Sequence, residues 1–228
     1  DDSAFTLKLW TVEDRLPGLP LTGLAQSQDG YIWLSAHDKL IRFNGVDFAS
    51  LPVPNEILTQ TGDLQGVACG VPDGLWFYGA DGIGRFNCGE WDVWPVPDDS
   101  ATLIGKILGL VISNDGVVRA YAERGLFEAV TAEDDATTRF QPRTSPVPSD
   151  DRATLGAVTA ADADHTGRIW MTAWNGLVEY ANGRFDDKST RLPDFLVEAV
   201  AGVHVGKSGR LWINGPNGIA YLEKNIWT

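Results

Sequence analysis

Short stretches of alternating apolar and polar residues, separated by Gly-containing turns, run through the chain, and no segment carries apolar residues at helical spacing. A period of two bounded by turn residues predicts β-strands. One such stretch, Gly30-Tyr31-Ile32-Trp33, has copies at Gly74-Leu75-Trp76, Gly167-Arg168-Ile169-Trp170 and Gly209-Arg210-Leu211-Trp212. A fifth, degraded copy reads Gly116-Val117-Val118-Arg119, with Arg in the Trp position. Successive key positions lie 43, 43, 51 and 42 residues apart.

Further columns align on this key position. Six residues on stand Lys39, Gly82, Gly125, Gly176 and Gly218, preceded by Asp38, Asp81, Arg124, Asn175 and Asn217 and followed by Leu40, Ile83, Leu126, Leu177 and Ile219. Asp-Gly and Asn-Gly at this point predict a hairpin turn. Ten residues upstream comes a small column, Gly23, Gly66, Gly109, Ala160 and Gly202, which fits an innermost strand where sheets converge on an axis. Each unit reads as four strands: a small-and-aliphatic strand, the Trp strand, the strand after the turn, and a fourth strand carrying an aromatic. Four strands in about 40–50 residues make a propeller blade. The fold class expected is all-β, a single β-propeller domain of four-stranded antiparallel blades. Its repeats lie at about 20–50, 63–95, 106–142, 157–188 and 199–228. Residues 5–12 read as an outer strand ahead of the first repeat. Either that strand completes the fifth blade and closes a five-bladed ring, or the five repeats belong to a larger, seven-bladed propeller. The third unit is longer than the rest, with polar stretches over Thr131–Thr138 and Gln141–Arg152 that read as a surface excursion.

The 228 residues, 43% of them hydrophobic, suffice for one sizeable core. A net charge of −13 argues against nucleic acid as a partner, because phosphate attraction needs the opposite sign. No apolar run approaches the ~20 residues of a membrane helix, and no signal peptide is visible. The two cysteines, Cys69 and Cys88, are too few for a disulfide framework or a zinc site. A single bridge between them and two separate thiols both remain open.

No catalytic motif is present: there is no Gly-x-Ser-x-Gly elbow, phosphate loop or His-Glu-x-x-His. His37, His165 and His204 fall in different units, and the paired acids Asp98-Asp99, Asp134-Asp135 and Asp150-Asp151 lack the alternation of a calcium loop. Neither a metal nor a cofactor is expected. Propellers usually bind ligands on the face formed by the second-to-third-strand turns, so the candidate binding residues are His37, Glu123, Arg124, Trp174, Asn175 and Asn217. Trp174 offers a flat face for a sugar ring or an aromatic ligand. The residue just before the turn varies (His37, Ala80, Glu123, Trp174, Pro216), which signals either specialisation or indifference.

Trp10-Thr11-Val12-Glu13-Asp14-Arg15-Leu16-Pro17, then Asp29-Gly30-Tyr31-Ile32-Trp33-Leu34 and Leu40-Ile41-Arg42-Phe43-Asn44-Gly45, resembles the two-component regulator propeller repeat. Arg15, Lys39 and Ser35-Ala36 depart from the usual residues of that pattern. The resemblance implies a ligand-sensing module on the periplasmic or extracellular side of a bacterial membrane receptor. Its membrane helix and output domain would be segments outside this chain, its ligand a small molecule or an oligosaccharide, and homodimers would be accessible to it. Gly74–Phe86 also looks like the repeats of the streptogramin lyases, which implies a propeller enzyme needing a His and carboxylate pair with a metal. A dimerising scaffold without a small ligand is the third reading.

Overall fold

A computed structural model describes residues 7–70, 74–96, 105–113, 116–123, 125–131, 138–144, 158–173, 176–196, 199–206, 208–224 and 226–228. Strands there form five four-stranded sheets, each a simple antiparallel meander. The first blade holds β1 (Leu21–Gln26), β2 (Ile32–Ala36), β3 (Lys39–Phe43) and β4 (Phe48–Pro52), and the second β5 (Gly66–Cys69), β6 (Leu75–Tyr78), β7 (Gly82–Asn87) and β8 (Glu90–Pro95). The third holds β9 (Ile107–Ile112), β10 (Val118–Ala122), β11 (Gly125–Thr131) and β12 (Thr138–Thr144). The fourth comprises β13 (Val158–Ala163), β14 (Ile169–Ala173), β15 (Gly176–Ala181) and β16 (Arg184–Asp187). The fifth comprises β17 (Gly202–Val205), β18 (Leu211–Gly215), β19 (Gly218–Glu223) and β20 (Ile226–Trp227). This is the propeller architecture that the repeat predicts.

Within each blade, the second and third strands place one apolar pair directly opposite each other. The pairs are Leu34 with Ile41, Phe77 with Gly84, Ala120 with Phe127, Met171 with Val178, and Ile213 with Ala220. Large and small exchange strands between blades two and three. A Cβ on Gly84 would lie 2.1 Å from the Phe77 ring, so the glycine is the space that the phenyl ring fills. Close packing constrains the summed volume of a pair more than either member, and this is why these columns look irregular when read singly.

The small column of the innermost strands has a second partner besides the axis. Gly23, Gly66, Gly109, Ala160 and Gly202 pair with Ser35, Tyr78, Tyr121, Thr172 and Asn214 on the second strand. All five partners carry a hydroxyl or an amide. The Tyr78 hydroxyl donates to the Leu108 carbonyl of the next blade at 2.8 Å, and the Thr159 hydroxyl reaches both Thr172 (2.8 Å) and the Val200 carbonyl of the fifth blade (3.0 Å). Register shifts at Leu21/Gly23, Tyr121/Ala122 and Val158/Ala160 mark bulges at one level in three blades, and they turn the innermost strands tightly about the axis.

Three features differ from the sequence expectation. Gln141–Thr144, expected in a surface excursion, continue β12 and pair with β11. The linker between blades one and two contains a short helix, α1 (Asn55–Thr61), which buries Ile57 and Thr61. The strand expected over 5–12 is not formed by the described residues 7–12. A capping box instead closes a 3-10 turn at Val12–Asp14, with the Thr11 backbone N–H donating to the Asp14 carboxylate at 2.8 Å. The segment then lies on the outer face of the first blade: Trp10 packs edge-on to Phe43 with ring centroids 5.0 Å apart, and Leu16 is buried beside Leu34, Ala36 and Ile41. Leu7, Leu9 and Val12 stay exposed. The innermost strands pack successively as β1, β5, β9, β13 and β17, and among the described residues β17 does not pack on β1 in the same way. The blades therefore form an open arc.

Candidate functional site: a cleft between the fourth and fifth blades

The key-position side chains of the first four blades face the next blade, and all five pair across the second and third strands. The pairs are Trp33–Arg42, Trp76–Arg85, Arg119–Glu128, Trp170–Glu179 and Trp212–Tyr221. The degraded third repeat is thus a compensated exchange: Arg119 and Glu128 form a largely buried ion pair at 2.7 Å where the second blade has Trp76 under the Arg85 guanidinium.

The fourth strand decides whether the space above this pair is filled. Next to the aliphatic residue that follows the turn (Leu40, Ile83, Leu177), it places Leu51, Trp94 and Lys188. Between blades two and three, Trp94 stacks on Trp76 at 5.3 Å, Phe140 closes against both rings, and the interface is sealed. Lys188 in the fourth blade has no ring to stack on Trp170. A cleft of about 660 Å³ remains there, with a floor of Trp170, Leu177, Val205 and Leu211 and a rim of Asp164, Arg168, Glu179, Lys188, Arg191, Lys224 and Trp227. This is within the size range of small-ligand sites. Blades one and two leave a smaller counterpart of about 360 Å³, lined by Ser27, Asp29, Trp33, Cys69 and Cys88 among others.

The two carboxylates of the larger cleft are already engaged. Asp164 is 4% exposed; it accepts from the Thr166 amide and hydroxyl, from the Arg168 side chain at 2.7 Å, and from the Trp170 indole at 3.4 Å. Burial alone would raise its pKa, but the hydrogen bonds from Thr166 and Arg168 hold it below the ordinary value. Glu179 takes Lys188 at 3.2 Å and Arg168 at 3.5 Å. Lys188 is also paired with Asp186; that bond, assisted by Glu179, raises its pKa. The Arg168 guanidinium lies 5.5 Å from the centroid of the Trp170 ring. Among the described residues, Arg191 and Lys224 carry no ion pair, and both stand exposed at the rim.

The cleft opens at the end of the arc that carries the first-to-second-strand and third-to-fourth-strand turns. The described turn-face candidates, His37, Glu123 and Asn217, sit at the other end. His37 pairs with Asp63 at 2.8 Å, both exposed, while its carbonyl accepts from the Leu64 amide of the linker to blade two. The Glu123 carbonyl accepts likewise from Val158, and its carboxylate lies over Gly105, where a Cβ would meet it at 2.2 Å. The Asn217 amide donates to the Phe195 carbonyl at 3.4 Å. These three residues lie in three different blades, and each clasps a neighbouring linker. At His37 and Glu123 the backbone carbonyl makes the clasp. Arg124, Trp174 and Asn175 lie outside the described residues, as do the paired acids Asp98-Asp99, Asp134-Asp135 and Asp150-Asp151.

His204 meets Asp162 at 2.9 Å on the innermost strands, and His165 lies beside Gly209, so the histidines stay apart. Among the described residues, no three His, Cys, Asp or Glu side chains converge as metal ligands would. Both cysteines are free thiols. Cys69 pairs with Leu75, and Leu75 with Phe86, so Cys69 lies about two strand spacings, roughly 10 Å, from the β7–β8 turn that holds Cys88. A disulfide needs Cα atoms within about 7 Å. Burial, with the Asp29 charge adding to it, pushes the Cys69 thiol up to about 11.

No family model matches the sequence, and no curated protein does. Solved structures do match in fold. A streptogramin B lyase superposes with a TM-score of 0.69 at 20% identity, over 89% of this chain and 64% of the lyase. Virginiamycin B lyase from Staphylococcus aureus, solved with quinupristin, gives 0.69 at 17% identity, over 93% of this chain and 71% of that one. The extracellular domain of a hybrid two-component system from B. thetaiotaomicron gives 0.69 at 15% identity, over 97% of this chain and 31% of that domain. These likenesses are of fold alone. The chain spans about two-thirds of the first lyase and under a third of the two-component domain. Among the described residues, no helix is long and apolar enough to cross a membrane.

Proposed function

We propose that this propeller is a ligand-binding module of an extracytoplasmic bacterial receptor and that its ligand is a carbohydrate held in the cleft between blades four and five. The observation that carries the reading is the cleft itself. It holds about 660 Å³ between two blades, with an apolar floor, a half-buried indole at Trp227 and fixed polar groups around it. An indole face beside directed hydrogen-bonding groups is the chemistry that sugar rings accept. The fold likeness to an extracellular two-component domain, and the resemblance of the first repeat to receptor propellers, support the receptor setting.

The test is a thermal-shift screen of neutral and acidic oligosaccharides against the parent chain, Trp227→Ala, and the double change His37→Ala with Glu123→Ala. The expected result is a shift for at least one glycan that Trp227→Ala abolishes and the double change preserves. A shift that survives Trp227→Ala but vanishes in the double change would move the site to the opposite face. No shift with any glycan would sink the carbohydrate reading, and consumption of a bound compound would replace it with an enzymatic one.

A further inference from the structure

Four cations and two carboxylates surround the larger cleft of a chain whose net charge is −13. Arg168 and Lys188 are spent on those two carboxylates, so the cleft offers Arg191 and Lys224 as free positive charge. The smaller counterpart provides an internal comparison. It has the same architecture, but Cys88 occupies the position of Lys224 and Ser27 that of Asp164, and its lining carries no Lys or Arg. The cationic rim therefore belongs to one cleft and does not follow from the repeat.

Lys224 also holds a backbone conformation that does not favour it. Its φ of 52° lies in the left-handed region, at the turn position filled by Gly45 in the first repeat and Asn182 in the fourth. A long side chain there costs about 1 kcal/mol relative to glycine. Cys88 holds the same conformation at the equivalent position of the second repeat, with φ 49°, so what sets Lys224 apart is the charge it brings to the mouth of the cleft.

Resting on the carbohydrate reading above, we propose that the cleft selects an anionic saccharide. A carboxylate or sulfate group of the ligand would sit between Arg191 and Lys224 while a sugar face rests on Trp227. A guanidinium and an ammonium facing one anion supply charge-assisted hydrogen bonds, roughly twice as strong as neutral ones. The acidic remainder of the surface repels anions elsewhere and so confines them to this site.

The test compares a tetragalacturonate with its fully methyl-esterified form, which keeps the sugar backbone and removes the charge, and adds a sulfated heparin tetrasaccharide. Titration calorimetry on the parent chain is expected to give at least tenfold tighter binding of one charged probe than of the ester. That preference is expected to disappear when Arg191→Glu and Lys224→Glu are combined. Which charged probe binds distinguishes carboxylate from sulfate. Equal binding of charged and esterified forms overturns anion selection and leaves the carbohydrate reading standing; binding of none of the three overturns both. A ligand-independent measurement runs beside it. Fluorescence lost in Trp227→Phe isolates the cleft indole, which iodide is expected to quench more strongly than caesium, with the order reversed in the double Glu variant. Equal quenching by the two ions also overturns the proposal.

Discussion

Gly109→Ala tests the packing about the axis. A Cβ at this position would sit 2.3 Å from the Tyr121 ring, where ordinary contact begins at about 3.5 Å. Tyr121 is fixed between blades, so the ring has to give by more than ~1 Å, and overpacking of this kind costs about 1–3 kcal/mol. The fourth blade already contains the relieved version of the pair, Ala160 opposite Thr172. Tyr121→Thr alone removes a half-buried ring and is expected to cost about 3 kcal/mol. In that background the alanine has nothing to strike, so the double variant is expected to be no less stable than Tyr121→Thr. Urea unfolding of the four proteins gives the coupling directly. The expected coupling is about 1–3 kcal/mol in the relieving direction. Two costs that simply add, within about 0.5 kcal/mol, would refute the idea that the small column is small because of the ring facing it.

Arg119→Met removes the guanidinium that meets Glu128 at 2.7 Å in a largely buried ion pair, and is expected to destabilise by about 3 kcal/mol in the same assay; restoring Trp at 119 with Arg at 128, as in the second blade, recovers most of it. Tyr78 has its pKa pushed up to about 12 by burial, with Tyr121 adding to it. Its stabilising contribution is therefore whole below about pH 10 and is lost as pH rises from there through 12. Tyr78→Phe should flatten that alkaline loss and cost about 1 kcal/mol at neutral pH, read from unfolding midpoints across the range. Thiol titration of the unreduced protein is expected to find two thiols, with exposed Cys88 reacting first and Cys69 slowly; a disulfide-linked species instead would contradict the β5–β6–β7 register.

The turns and the two middle strands of each blade were legible in the sequence because their marks are local. Asp-Gly and Asn-Gly set the hairpins, and the Trp, aliphatic and small columns recur at one spacing whatever surrounds them. The fourth strand was read only as an aromatic carrier, since the turn before it varies from Asn44-Gly45 to Cys88-Gly89 and gives no common anchor. The exchange of Trp94 for Lys188 at equal distance from the key position was present as a signal but had no meaning until the key Trp was known to face the next blade. The N-terminal segment alternates like a strand, yet among its described residues Trp10 packs on Phe43 of the first blade while Leu7, Leu9 and Val12 stay exposed, which local alternation does not foretell.

The sequence by itself therefore determined the blade, its four strands and its repetition, because each rests on backbone conformation and on contacts between residues near in the chain. It also carried the small column, whereas the third repeat read only as degraded until Glu128 was found opposite Arg119. Which interfaces seal and which stay open was settled by the packing of blade on blade. That depends on two side chains from one blade meeting the face of another, some 40 residues away, where one missing ring leaves a cleft and turns two unpaired cations toward it.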